Sequence, residues 1–147
     1  MLYLLRHGNA EENHAEGDAA RRLTPKGERQ ALAAGKALTA MEAKIDACLT
    51  SPKVRAVETA RLACEALGLE PEVANELGGG RFDSLALSTG RGDLLLVGHE
   101  PDFSAEVARL TGANVKLKKA GLAIVDGSTL TALLRPRDLA ALAKGVA

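Results

Sequence analysis

The apolar positions of this chain fall into short continuous runs that alternate with longer stretches of helical spacing. The run Leu2-Tyr3-Leu4-Leu5 has the length and continuity of a buried strand, predicted from Leu2 to Arg6. Asn9 to Arg22 are polar and alanine-rich and read as a loop. Thr24-Pro25 supplies a helix start, with threonine as the cap and proline at the first helical position. Ala31, Ala34, Leu38 and Met41 then recur at helical spacing and extend that helix to about Ala43. A second strand is predicted over Ile45 to Thr50. Ser51-Pro52 repeats the cap-and-proline start, with Val54, Val57, Ala60, Cys64 and Leu67 on one face and Gly68 just past the helix end.

A short strand is predicted around Glu72 to Ala74, a loop at Gly78-Gly79-Gly80, and a short helix from Phe82 to Ser88. A strand over Asp93 to Val97 follows, and Pro101 opens a helix to about Thr111. Leu122 to Val125 and Thr129 to Leu134 flank Asp126-Gly127-Ser128, a hairpin signal. Pro136 starts a last short helix. This alternation predicts an α/β fold, a single three-layer domain over residues 1–147 with a central, mostly parallel sheet and helices on both faces. The glycine run is read as a loop and not a linker, because too little chain lies on either side of it for separate cores.

Composition narrows the function classes. Lys and Arg number 19, as do Asp and Glu, so the formal charge is zero. That argues against nucleic acid or an anionic membrane as the main partner. Any positive site must be local. With no Trp, 1 Tyr and 2 Phe, the core is aliphatic. Cys48 and Cys64 lie in apolar surroundings without metal-ligand spacing, and no disulfide framework is indicated. No apolar run is long enough for a membrane helix, and the four apolar residues before Arg6 are too few for a signal-peptide core, so the cytoplasm is the expected compartment.

The chemistry sits at predicted strand ends. Arg6-His7-Gly8 ends the first apolar run, and His99 ends the run Leu94 to Gly98. Open α/β sheets build ligand sites at the carboxyl ends of their strands. Arg55 falls in the first turn of the helix after the second strand, where free N–H groups and a guanidinium fork favour an anion. Each alone is as readily a surface residue. Together they point to chemistry on an anion, with Arg55 offering a fork of donors matched to phosphate oxygens.

These segments resemble the motifs of the histidine phosphatase superfamily, the phosphoglycerate-mutase-like group. Leu4 to Ala10 (LLRHGNA) resembles its first motif, and Arg22 to Ala31 (RLTPKGERQA) its first helix start. Thr50 to Ala60 (TSPKVRAVETA) resembles its second motif, and Leu96 to Pro101 (LVGHEP) its last. The small size and the Gly-His-Glu-Pro form are most similar to bacterial phosphohistidine phosphatases called SixA. The resemblance implies a phosphoglycerate-mutase-like fold and a metal-independent phosphatase with no cofactor. It implies His7 as the nucleophile, with Arg6, Arg55 and an imidazolium at His99 holding phosphate oxygens. Asn13 is either a further phosphate contact or a turn residue. Glu76 is either the general acid or a solvated glutamate, and Asp83 is a poorer candidate for the acid. Arg22 and His14 read as solvated loop residues, and Glu100 as serving the helix start. The implied substrate is phosphohistidine on a partner protein, because little chain lies between Arg55 and His99 to build a lid. The alternatives are a phosphatase of a small phosphorylated metabolite and a non-catalytic phospho-binding module. A mutase would need a more enclosed pocket.

Overall fold

The protein is described by a computed structural model covering residues 1–145. Its frame is a six-stranded sheet in the order β3-β2-β4-β1-β5-β6. The strands are β1 (Leu2–Arg6), β2 (Ala47–Thr50), β3 (Glu72–Val73), β4 (Leu94–Gly98), β5 (Leu122–Asp126) and β6 (Thr129–Leu134). The first four run parallel, while β5 pairs antiparallel with β1 and β6 with β5. Five helices accompany them: α1 (Pro25–Ala40), α2 (Val54–Leu67), α3 (Ser84–Ser88), α4 (Asp102–Thr111) and α5 (Pro136–Ala143). The chain thus has the predicted α/β layering.

Strand parity explains the two cores. Tyr3, Leu5, Cys48, Leu95, Val97, Leu122 and Ile124 face one side, where they meet α1, α2 and α5 through residues such as Leu38, Ala60 and Leu139. Leu2, Leu4, Leu49, Leu94, Leu96, Ala123 and Val125 face the other, against Leu77, Leu87, Phe103 and Val107. A parallel strand covered on both faces must be apolar at every position. That is why β1 and β4 read as continuous runs rather than alternating ones.

Three helix expectations are corrected. Ser51-Pro52 does not cap α2. The helix begins at Val54 with Lys53 in the cap position, and Ser51 Oγ instead accepts the Lys53 N–H at 3.1 Å. Its buried face is also rotated from the predicted one: Arg55, Ala56, Thr59, Ala60, Ala63 and Cys64 are buried, while Val54 and Val57 are only half-buried. The reason is close packing. A Cβ added at Gly35 of α1 would overlap the Ala63 carbonyl, so the two helices touch through small residues and the valines are left at the rim. Helix α1 also stops at Ala40, short of Ala43. Glu42 and Ala43 donate back to Thr39 and Leu38 with Glu42 at φ 59°, a Schellman ending without the usual glycine.

Candidate active site

Three neighbouring parallel strands end level with one another. Arg6 of β1 stands opposite Gly98 of β4, and Thr50 of β2 opposite Val97. The ladder continues one residue further: His7 N–H donates to the Gly98 carbonyl at 3.0 Å and Ser51 N–H to Val97 at 2.9 Å. His7, Ser51 and His99 therefore leave the sheet at one edge. The chain then turns at Gly8, whose N–H donates to Thr59 Oγ1 of α2 at 3.1 Å. A Cβ here would sit 2.8 Å from the Gly27 carbonyl oxygen of α1, so only glycine fits.

The geometry identifies the reactive atom of His7. Nδ1 lies 2.7 Å from the Gly8 carbonyl oxygen, which only accepts, so Nδ1 carries the proton. The Nε2 lone pair is left free. Burial, more than the neighbouring cations Arg55, Arg6 and Lys119, pushes the His7 pKa down to about 4, against the pull of Gly8. At neutral pH the ring is uncharged and nucleophilic.

His99 faces His7 with ring centroids 5.3 Å apart and planes tilted by 56°. Its Nε2 is paired with Ser51 Oγ at 2.8 Å. Burial first, and then His7, Arg55 and Lys53, lower its pKa to about 3. As the side chains stand, His99 is neutral near pH 7, so fixed positive charge comes from the arginines, and the expected imidazolium is a form for the phosphate-bound site. An anion accepting from the ring would favour its protonated form.

Both guanidiniums are held from behind. Arg6 Nη1 donates to the Leu117 carbonyl at 2.9 Å. Arg55 Nη1 donates to the Asp18 carbonyl at 2.9 Å and Nη2 to the Asp18 carboxylate at 3.2 Å. In each, the Nε–H is buried without a partner. Buried N–H groups are rarely left unpaired. Two orphaned donors, on the two arginines whose charge bears on the neutral His7 imidazole, suit the oxygens of a phosphoryl group.

The remaining predicted residues divide. Glu100 serves the α4 start, accepting from Ser104 N–H at 2.7 Å, and also from Leu117 N–H at 3.1 Å, which steadies the segment that holds Arg6. Asp83 caps α3 through the Leu85 and Ala86 N–H groups. Glu76 is exposed on the 3-10 turn Asn75–Gly78, and Asn13 is exposed in the loop; neither hydrogen-bonds a site residue. Arg22 is exposed and lies 3.4 Å from Glu58, and His14 Nδ1 accepts from the Glu16 N–H. No group of three or more His, Cys, Asp or Glu among the described residues is arranged to hold a metal ion. Sequence reading missed Asp18, the Ser51 contact with His99, Thr59 and Lys119. Ser51 and Thr59 carried a usable signal, since both lie within the second motif.

The comparisons with known proteins bear on the family and the fold. The family model of the histidine phosphatase superfamily, branch 1, matches residues 2–85. An uncharacterized protein of Picosynechococcus is 36% identical over 135 residues, covering 82% of this chain and 81% of that one. The protein histidine phosphatase SixA solved with tungstate superposes with a TM-score of 0.81 at 25% identity, covering 94% and 98% of the two chains. The α-ribazole phosphatase of Shigella flexneri shares the fold, with a TM-score of 0.71 at 19% identity over 91% and 95%. With its strand-end histidines and arginines gathered at one sheet edge, this chain belongs to the histidine phosphatase superfamily.

Proposed function

We propose that this chain is a metal-independent phosphatase that works through a phosphohistidine on His7, and that its substrate is phosphohistidine on a partner protein. The observation that carries the reading is the pair of buried, unpartnered Nε–H groups of Arg6 and Arg55, both arginines close enough to His7 to lower its basicity, beside a neutral His7 whose Nε2 is free. In the first step the Nε2 lone pair forms a bond to phosphorus while the substrate's bond to phosphorus breaks. The leaving imidazole keeps that electron pair and takes a proton from solvent. In the second, water adds to phosphorus, the P–Nε2 bond breaks, and inorganic phosphate departs. Arg6 and Arg55 neutralise the phosphoryl oxygens throughout, which is most of what phosphoryl transfer asks of a protein.

The leaving group decides between substrates. Arg21 first, and then Arg55 and Lys53, hold the Asp18 carboxyl down at about 2, so it is ionised at neutral pH. Both Glu100 oxygens accept hydrogen bonds. Neither carboxyl is poised to give a proton. An imidazole leaving group tolerates that; an alkoxide does not. The kinship to SixA supports the same choice. A metabolite phosphatase is favoured by one feature, a groove of about 530 Å³ beside Pro52 lined by His14, Arg22, Val57 and Arg61.

The test is kcat/KM for a phosphohistidine protein, an aryl phosphate and sugar phosphates, with rapid-quench mapping of labelled enzyme. The order expected is that in which they are named, with label on His7 and none in His7→Ala. Label on another residue sinks the nucleophile. A preference for a sugar phosphate of tenfold or more, about 1.4 kcal/mol in the barrier, moves the assignment to the metabolite.

A further inference from the structure

We infer that Asp18 is a positioning residue for phosphoryl transfer: it clamps the far end of the Arg55 guanidinium so that the opposite edge is presented to the phosphoryl group. The inference rests on the reading of Arg55 as a phosphate ligand.

A guanidinium offers two donor edges, an end edge of Nη1 and Nη2 and a side edge of Nε and Nη2. Asp18 takes the whole end edge. Its carbonyl accepts from Nη1 at 2.9 Å and its carboxylate Oδ2 accepts from Nη2 at 3.2 Å. The side edge remains, with Nε–H buried and unpartnered. Arg55 itself is buried, so the clamp acts where a misdirected guanidinium has few other partners. A side chain with four rotatable bonds costs conformational entropy to hold in one pose. A clamp made before substrate arrives removes that cost from the chemical step.

Asp18 is itself held. It lies on the 3-10 turn Asp18–Ala20, 37 positions before Arg55 in the chain. Arg21 Nη1 donates to its Oδ1 at 3.0 Å, and Arg21 Nε donates to the Glu11 carbonyl. Lys53 Nζ lies 3.6 Å from Oδ2. The polar loop between β1 and α1 thus places a carboxylate against three cations. This is an unusual thing to find beside a phosphate site, because a carboxylate repels a phosphate dianion. The two possible roles make opposite predictions. If Asp18 merely competes for Arg55, its removal strengthens anion binding. If it positions Arg55, its removal weakens the interactions that depend on direction.

The experiment compares wild type, Asp18→Asn and Asp18→Ala in calorimetric binding of inorganic phosphate and of orthovanadate, alongside kcat and KM for an aryl phosphate. Orthovanadate can take the five-coordinate geometry of transfer, so it reports transition-state fit. The main-chain contact to Nη1 survives in every variant. Asp18→Ala is expected to lose about tenfold or more in kcat and in vanadate affinity together, the hallmark of transition-state binding, with phosphate affinity and KM within about threefold. Asp18→Asn, whose amide oxygen still accepts from Nη2, is expected to recover most of the loss. A fold defect lowers phosphate and vanadate binding alike and gives no recovery, which overturns the proposal. So does a variant that binds vanadate as tightly as wild type or more tightly. Should Asp18→Ala fail to fold, Asp18→Asn alone decides: vanadate affinity raised tenfold sinks the clamp, and affinity within about threefold of wild type upholds it. Because binding is read without turnover, a wild type that binds both anions but hydrolyses nothing defeats the functional reading and not the clamp.

Discussion

His7 and His99 lose basicity chiefly to burial, and that has a sign that can be measured. In an unfolded chain each imidazole has a pKa near 6.5. In the fold they fall to about 4 and about 3. Between pH 6.5 and about 4 the unfolded chain binds protons that the folded one refuses. Stability therefore rises with pH across that window and is lost as pH falls through it. The charge state that makes His7 a nucleophile is thus also an acid liability of the fold. Ring nitrogen shifts followed by NMR should show both histidines neutral at pH 6, with protonation only below about pH 5. Denaturant unfolding at pH 5 and pH 7 should show a larger loss for wild type than for His7→Ala. Normal titration near 6.5 in the folded protein would overturn the assignment of a desolvated nucleophile.

At the scale of elements, the site is made by the level ends of β1, β2 and β4 and by the approach of α1 to the first motif. Thr24 ties these together: its Oγ1 accepts from the Gly27 N–H at 3.1 Å and from Asn9 Nδ2 at 2.7 Å. A Cβ at Gly27 would overlap the Asn9 carbonyl oxygen. Gly27→Ala must therefore push the helix start away from the turn that follows His7. Overpacking of this kind costs about 1–3 kcal/mol, and kcat should fall by more than stability alone explains, because His7 is displaced. Unfolding and aryl phosphate turnover of the Gly27→Ala variant check this; wild-type values for both would show that α1 does not position the turn. Strand ends were legible because buried parallel strands are apolar runs, and Arg6-His7 and His99 interrupt them. The buried face of α2 was not, because the sequence shows hydrophobicity and the structure selected size: Ala56, Ala60 and Ala63 pack where Val54 and Val57 cannot. Asp18 was illegible for another reason. Its partner Arg55 is brought to it only by the fold, and nothing local to Gly17-Asp18-Ala19 announces an ion pair.

The whole molecule carries no formal net charge, yet four of its cations bear on the histidines at one sheet edge. Arg6, Arg55 and Lys119 all bear on His7, and Lys53 on His99. Asp18 and Glu100, the carboxylates closest to the arginines' contacts, are each engaged by hydrogen bonds that hold them in place. Local field and overall charge are therefore decoupled. A neutral molecule exerts little long-range pull on an anionic partner, and what pull exists acts within roughly one Debye length, about 10 Å at 0.1 M salt. Capture of a phosphorylated substrate should thus be salt-sensitive through kcat/KM, while kcat, governed by buried contacts that salt screens weakly, stays nearly level. Lys119 is exposed on the segment that precedes β5, and Ala120 beside it donates to the Arg6 and His7 carbonyls at 3.1 and 2.9 Å. It is placed to supply field without touching the chemistry. Raising ionic strength from about 0.02 to about 0.3 M should lower wild-type kcat/KM several-fold. Lys119→Gln should start lower, by about two- to fivefold, and respond less steeply to salt. A Lys119→Gln enzyme with the wild-type salt slope would show that this ammonium does not steer. A kcat that falls with salt as far as kcat/KM does would show that the charges act within the reacting complex and not on the approach to it.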